Sequence, residues 1–199
     1  MSDRTTAKLF VHPVDEKAIT EIMIDYGFDE RGVEAQSGLL TFTCHQVSYG
    51  YIEAIPEIKA AGILFTSRVS GTDEVDPYRQ IYRFNSKTNQ FFDREVEHKN
   101  WGRLSLSEVK QHMAQGTLEA YIEEFESNQP SLIDNINDIE RNVLPNIVSV
   151  MNTMAAETEE DLNDLLSLTN LACRRGIPFN TLLTVKHDAV KKHILKNFT

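Results

Sequence analysis

This chain is short of most of the features that announce a chemistry. It has only two cysteines, Cys44 and Cys173, in 199 residues. Two thiols that far apart give neither a disulfide framework nor a zinc site. No apolar run approaches the roughly 20 residues needed to span a bilayer. Met1–Lys8 is polar and lacks the apolar centre of a secretion signal, so the cytoplasm is the expected compartment and no membrane partner is expected. There is no Gly-rich phosphate loop, no Gly-x-Ser-x-Gly elbow and no Cys-x-x-Cys. These gaps lower the odds of an enzyme without excluding one, and no cofactor is expected.

Bases are also scarce in one long stretch. Between Gln111 and Asn170 there are 12 carboxylates and a single base, Arg141. From Leu171 the sign reverses, with Arg174, Arg175, Lys186, Lys191, Lys192 and Lys196 against Asp188 alone. Residues 1–110 carry 17 acids and 13 bases, so the overall charge of -10 divides as −4, −11 and +5 along the chain. A folded acidic block attracts cationic partners and repels polyanions. An apolar fraction of 41% is ample for a buried core and argues against disorder.

The first half has mixed periodicity. Lys8–Val11 is a short apolar strand closed by His12-Pro13. Val14, Ala18, Ile22 and Tyr26 then recur at helical spacing, with Ile19 and Met23 widening the stripe and Gly27 as its stop. A short strand is expected over Gly32–Ala35. Leu39–Val47 alternates, placing Leu40, Phe42 and Cys44 on one face and Thr41, Thr43 and His45 on the other. A helix over Tyr51–Ala61 leads into a strand at Ile63–Val69. Arg79–Phe84 then pairs with Gln90–Phe92 as a hairpin. The order β-α-β-β-α-β plus a hairpin predicts an α+β, ferredoxin-like sheet domain over residues 1–97.

From Leu104 the period-2 pattern stops. Capping-box spacings occur at Ser105–Glu108, Ser131–Asp134 and Thr158–Asp161. Apolar stripes run through Leu118, Tyr121, Ile122 and Phe125, and through Leu132, Ile136, Ile139, Val143 and Ile147, where Pro145 should kink or divide the run. Further stripes hold Leu162, Leu165 and Leu166, then Phe179, Leu182, Leu183, Val190 and Ile194. Residues 104–199 therefore read as an all-α helical bundle, joined to the first half through Glu95–Arg103.

Several groups of residues are candidates for function. Glu119, Glu123 and Glu126 lie at i, i+4 and i+7, opposite the apolar stripe and with no lysine in register to relieve their repulsion. With Glu124, and with Asp134 and Asp138 on the next helix, they form a candidate partner-binding face. Plain solvation explains the first-turn acids Glu159–Asp161 better than it explains these. The basic tail is read as folding back on the acidic helices. His12 and His45 are placed near one sheet edge as a candidate acid/base pair. Asp73, Glu74 and Asp76 concentrate oxygens in a loop that could hold a hard cation, although the spacing is not that of an EF-hand. Tyr78, Tyr82 and Phe84 share a strand face, and packing under the helices suits them better than stacking on RNA bases, since no basic-Gly-aromatic run accompanies them.

The stretches Val47-Ser48-Tyr49-Gly50, Ile58-Lys59-Ala60-Ala61-Gly62-Ile63, Ser67-Arg68 and Ser70-Gly71 resemble small uncharacterised accessory proteins of bacterial phages and plasmids. In those, a strand ends in Tyr-Gly, a helix ends in Lys-Ala-Gly-Ile and a Gly/Ser loop precedes an aromatic strand. The likeness covers residues 47–84 and departs at Thr72-Asp73-Glu74-Val75, where the family is richer in glycine. It implies a mobile-element protein, and acidic proteins of that origin often inhibit host nucleases by occupying a nucleic-acid groove. Taken together, the expectation is a non-catalytic inhibitor or regulator of anti-CRISPR or anti-restriction type. Its partner is a protein with a basic, nucleic-acid-binding surface rather than nucleic acid itself. The alternatives are a hydrolase or nuclease built on His12, His45 and the Asp73–Asp76 loop, and an assembly protein forming homo-oligomers through its helices.

Overall fold

A computed structural model describes residues 4–48, 50–72, 76–97, 106–128 and 131–198, with backbone alone at 97, 124 and 126–128. The strands are β1 (Arg4–Val11), β2 (Glu30–Val33), β3 (Leu40–Ser48), β4 (Phe65–Val69), β5 (Tyr78–Asn85) and β6 (Gln90–Glu97). They form one antiparallel sheet in the order β2-β3-β1-β4-β5-β6. Alternation sets its faces. Leu9 of β1, Phe42 of β3, Phe65 of β4 and Phe84 of β5 are fully buried on one side. Across that side Phe65 stacks on Tyr82 at 5.7 Å and Tyr82 on Phe91 at 5.1 Å, so Tyr82 and Phe84 are core side chains, as their pattern suggests.

Helix α1 (Glu16–Tyr26) sits between β1 and β2, and α2 (Ile55–Ala60) between β3 and β4. The spacing predicts a buried stripe from Val14 to Tyr26. Helix α1 buries Ile19 and Met23 and packs Ala18 and Ile22 half-buried on the core, but Val14 and Tyr26 at the ends of the stripe are exposed. The reason is local: Pro13 opens a 3-10 turn over Pro13–Asp15, which puts Val14 out of phase with the helix that follows. Helix α2 is also shorter than predicted, because Pro56 belongs in a first turn.

Beyond β6 every described element is helical: α3 (Leu106–Gln115), α4 (Leu118–Asn128), α5 (Leu132–Asp138), α6 (Ile147–Thr153), α7 (Glu159–Arg174), α8 (Phe179–Leu182) and α9 (Asp188–Asn197). Pro145 lies in a 3-10 turn after a π turn at Ile139–Val143, and together these separate α5 from α6. The Thr158–Asp161 capping box is complete. At Ser131–Asp134 only the hydroxyl half of the box forms, and Ser105 lies outside the described residues.

The helices after β6 are tied to the sheet half by specific polar bonds. The last carbonyls of a helix have no partner within it. Those at the end of α2 and just beyond it are capped from α7: Ser167 Oγ donates to Lys59 O at 2.9 Å, Asn170 Nδ2 to Ala60 O at 2.9 Å and Arg174 Nη2 to Gly62 O at 2.9 Å. Arg174 also donates to Ala61 O. The three donors, spaced i, i+3 and i+7, share one face of α7. Near the end of β5, past its pairing with β4, Asn135 of α5 accepts from Phe84 N at 3.1 Å and donates to Phe84 O at 2.7 Å. Ile136, Leu165 and Val190 belong to the same contiguous core as Leu9 and Phe42.

Candidate functional site

The face of the sheet opposite Leu9, Phe42 and Phe65 mixes buried apolar side chains, Phe10, Ile81 and Val96, with the clearest concentration of cations among the described residues. Register places Lys8 opposite Arg68, and Arg68 opposite Arg79, so three bases from neighbouring strands stand in one row. Like charges directly opposed on a sheet destabilise it. Arg83 lies on the same face four residues along β5. Arg68 lies over the Phe10 ring, 4.5 Å from its centroid, and is 3.8 Å from Glu34. Arg83 is 2% exposed. Its guanidinium donates to Phe65 O and Tyr82 O, and to Thr66 Oγ1 at 2.6 Å. Burial, then the nearby Arg79 charge, hold its pKa down to about 9. Arg79 is lowered as well, by burial and then by Arg68. Both directions record guanidiniums crowded against one another in a half-dry site.

Two adjoining cavities lie along this face. One, of about 640 Å³, is lined by Phe10, Arg68, Arg79, Ile81 and Arg83, with Phe125 and Asp134 on its helical wall. The second, of about 600 Å³, shares Phe10, Glu34 and Arg68 and extends to Lys8, Thr43 and His45. This groove was not found from the sequence. The parity of Lys8, Arg68, Arg79 and Arg83 along their strands was available, but register brings them together.

The predicted acidic face is partly in place. Glu119 and Glu123 are exposed on α4, and the side chains of Glu124 and Glu126 lie outside the described residues. Leu118, Tyr121, Ile122 and Phe125 form the half-buried opposite stripe. Asp134 is used at the start of α5, where Ser131 Oγ donates to it at 2.5 Å, and Asp138 accepts from Asn142 Nδ2 at 2.7 Å. Helix α3 buries none of its residues. It is joined to α4 by His112 stacked on Tyr121, with centroids 4.2 Å apart, and by Tyr121 Oη donating to Glu108 at 2.9 Å.

The basic tail is engaged elsewhere. Arg174 Nε donates to Asp15 Oδ1 at 2.9 Å, and Arg175 reaches both Asp15, at 3.4 Å, and Glu140, at 2.8 Å. Lys191 pairs within its own helix with Asp188. Among these pairs only Arg175–Glu140 joins the tail to the acidic stretch.

The two histidines proposed as an acid/base pair are not brought together. His12 follows Val11, which is opposite Leu40, whereas His45 follows Cys44, opposite Ala7. They stand at opposite ends of the β1–β3 ladder, roughly 20 Å apart at strand rise. His12 caps the turn after β1, accepting from Val14 N at 3.3 Å, and its pKa is lowered by burial and Arg175. His45 is exposed, 3.2 Å from Thr6 Oγ1. Asp73 and Glu74 lie outside the described residues, and Asp76 is exposed. Among the described residues no group of three or more His, Cys, Asp or Glu is placed to hold a metal. Burial raises both thiols, Cys173 to about 11, so neither is an activated nucleophile at neutral pH.

One carboxyl outside these surfaces is perturbed. Asp164 of α7 borders a cleft of about 390 Å³ with Lys59, Tyr82 and Asp93. Burial pushes its pKa up to about 6 against a bond from Phe91 N, and Glu160 and Asp161 add to the rise. A proton held more tightly in the folded than in the unfolded chain favours folding only while it is bound. This contribution is complete below about pH 4 and is lost as the pH passes 6. Asp164→Asn keeps the acceptor for Phe91 N and removes the charge. The variant should therefore unfold at higher urea than the parent at about pH 7.5, with the gap closing by about pH 4. A gap of the same size at both pH values would refute this assignment.

Comparison with protein-family models, with curated proteins and with solved structures finds no match to this chain. Among the described residues no helix is long and apolar enough to cross a membrane.

Proposed function

We propose that this is a binding protein without catalytic activity, and that the α3–α4 hairpin docks on a basic, nucleic-acid-binding surface of another protein. It would act as an inhibitor or regulator there, in the manner of an anti-CRISPR or anti-restriction protein, by setting carboxylates against lysines and arginines that otherwise hold phosphates. The observation that carries the reading is the apolar and acidic surface that this hairpin leaves exposed among the described residues. Helix α3 is amphipathic yet leaves Leu106 69% and Met113 62% exposed, two turns apart on one face. Glu119 and Glu123 have no ion pair among the described residues, while Arg174, Arg175 and Lys191 are paired elsewhere. Apolar side chains beside unpaired acids complement a basic protein surface and give fast, salt-sensitive association.

The scaffold belongs to the same proposal. We take β1 to β4 with α1 and α2 as a ferredoxin-like unit, extended by the β5–β6 hairpin and backed by the helical half. The strand order β2-β3-β1-β4, with a helix in each crossover, supports this. The cytoplasm is the proposed compartment.

The test compares the chain with its Glu119→Lys/Glu123→Lys variant as baits in a bacterial lysate at low salt. Basic, nucleic-acid-binding proteins held by the parent, released by salt and not held by the variant are the expected result. Identical retention by both baits would overturn the proposal. So would a parent mass well above 22.7 kDa that falls to the monomer in Leu106→Ser/Met113→Ser, since the hairpin would then be a self-association surface.

A further inference from the structure

We propose that the cleft between α2, β6 and α7 binds a small organic cation, an alkylammonium or alkylguanidinium with a short apolar body. The site is separate from the α3–α4 contact and does not depend on it. Its first support is the cleft itself, about 390 Å³ of space where the sheet half meets the helical half, the kind of junction at which ligand pockets form. Pro56, Ala60 and Phe91 give it apolar surface, and Lys59, Asp93 and Asp164 bring charge. The two carboxylates differ in their company. Asp93 is satisfied within the chain: Lys59 Nζ donates to it, and Gln80 Nε2 reaches its two oxygens at 2.8 and 2.9 Å. Asp164 accepts from Phe91 N at 3.3 Å and has no ion pair among the described residues.

The chain itself displays the chemistry that this cleft accepts. The Lys59 ammonium lies 5.8 Å from the centroid of the Tyr82 ring while it bonds Asp93. One alkylammonium is therefore already held there between a carboxylate and an aromatic ring. Asp164 offers a second carboxylate to the same cleft without such a cation. Its charge faces the Tyr82 hydroxyl, whose pKa is raised by burial and then by Asp164. The charged groups facing Asp164 are Lys59 of α2, Asp93 of β6, and Glu160 and Asp161 of its own helix, with Tyr82 of β5 as the remaining titratable one. With Lys59 committed to Asp93, this set repels an anion and favours one more cation. A half-buried carboxylate without a cation holds its proton to higher pH. An ammonium or guanidinium in the cleft supplies the counter-charge, and Asp164 then gives that proton up. The volume is at the small end for ligand pockets and suits a molecule about the size of an amino acid.

The test is titration calorimetry of the full chain with n-butylammonium and n-butylguanidinium, against butyrate and n-butanol as probes of the same apolar body. The expected result is that at least one of the two cations binds at about pH 7 with a Kd in the millimolar range or tighter, and that neither control does. The cation takes the ionised carboxylate, whose pKa is about 6, so affinity should rise about tenfold between roughly pH 5 and pH 7. Near pH 6, binding should release a proton from Asp164 to the buffer, read as a heat that changes with the buffer's ionisation enthalpy. Asp164→Asn, which keeps the acceptor for Phe91 N, should bind about tenfold more weakly or worse, with no rise over that pH range and no lower urea midpoint. The proposal is overturned if neither cation binds, if butyrate or butanol binds as well as they do, or if Asp164→Asn binds like the parent. An affinity that stays flat from about pH 5 to pH 7 would overturn it too, since the cation would then sit away from Asp164.

Discussion

Asp15→Ala will lower the stability of this protein by about 3–5 kcal/mol, the usual effect of removing one partner from a buried ion pair. The carboxylate is 2% exposed and faces two guanidiniums, those of Arg174 and Arg175, whose side chains are 18% and 6% exposed. Without Asp15 these charges stay in a half-dry site. Among the described residues, Arg175 then keeps Glu140 as its counter-charge and Arg174 keeps the carbonyls of Ala61 and Gly62. Asp15→Asn retains an acceptor but no charge, and its loss should fall between the parent and the alanine variant. Urea unfolding of both variants measures the effect, and hydrogen exchange should show α7 opening more often. A change under about 1 kcal/mol would mean that water screens the cluster as it does on an open surface.

Gly62→Ala is the second large effect, of about 2–5 kcal/mol. Gly62 has φ +67° and follows α2, where the chain must turn in the left-handed region. A methyl group there is strained by about 1–2 kcal/mol from the backbone alone. It would also run into the main-chain carbonyl of Ser167 in α7. Helix α7 cannot step back without stretching its bonds to Lys59, Ala60 and Gly62, so overpacking adds a further 1–3 kcal/mol or so. Gly116 separates the two contributions. Its φ of +69° is similar, but a Cβ there meets nothing within 4 Å. Gly116→Ala should therefore show only the backbone cost, and equal losses at the two glycines would rule out the clash with α7.

Much of the scaffold was legible in the sequence because it is written in local periodicity. The alternation of Leu40, Phe42 and Cys44, the stop at Gly62, the break at Pro145 and the Thr158–Asp161 cap are short-range effects, and each appears where the residues place it. Where a local rule met a competing one, boundaries moved. Pro13 made a 3-10 turn, and Val14 fell out of the stripe that Ala18, Ile19, Ile22 and Met23 keep against the core.

The charged surfaces divide differently. That α4 carries Glu119 and Glu123 opposite an apolar stripe follows from a period of 3.6 and needed no structure. The row Lys8–Arg68–Arg79 could not be found that way, because its members are up to 71 residues apart and meet only through the register of β1, β4 and β5. The same holds for Asp15 with Arg174 and Arg175, 159 and 160 residues apart. By itself the chain determined which segments coil and which extend, the side each buries, and where its charge accumulates, all set by neighbours within a turn or a strand. Only the tertiary structure decided which charges face one another, because strand register and helix docking are chosen by the fit of whole surfaces.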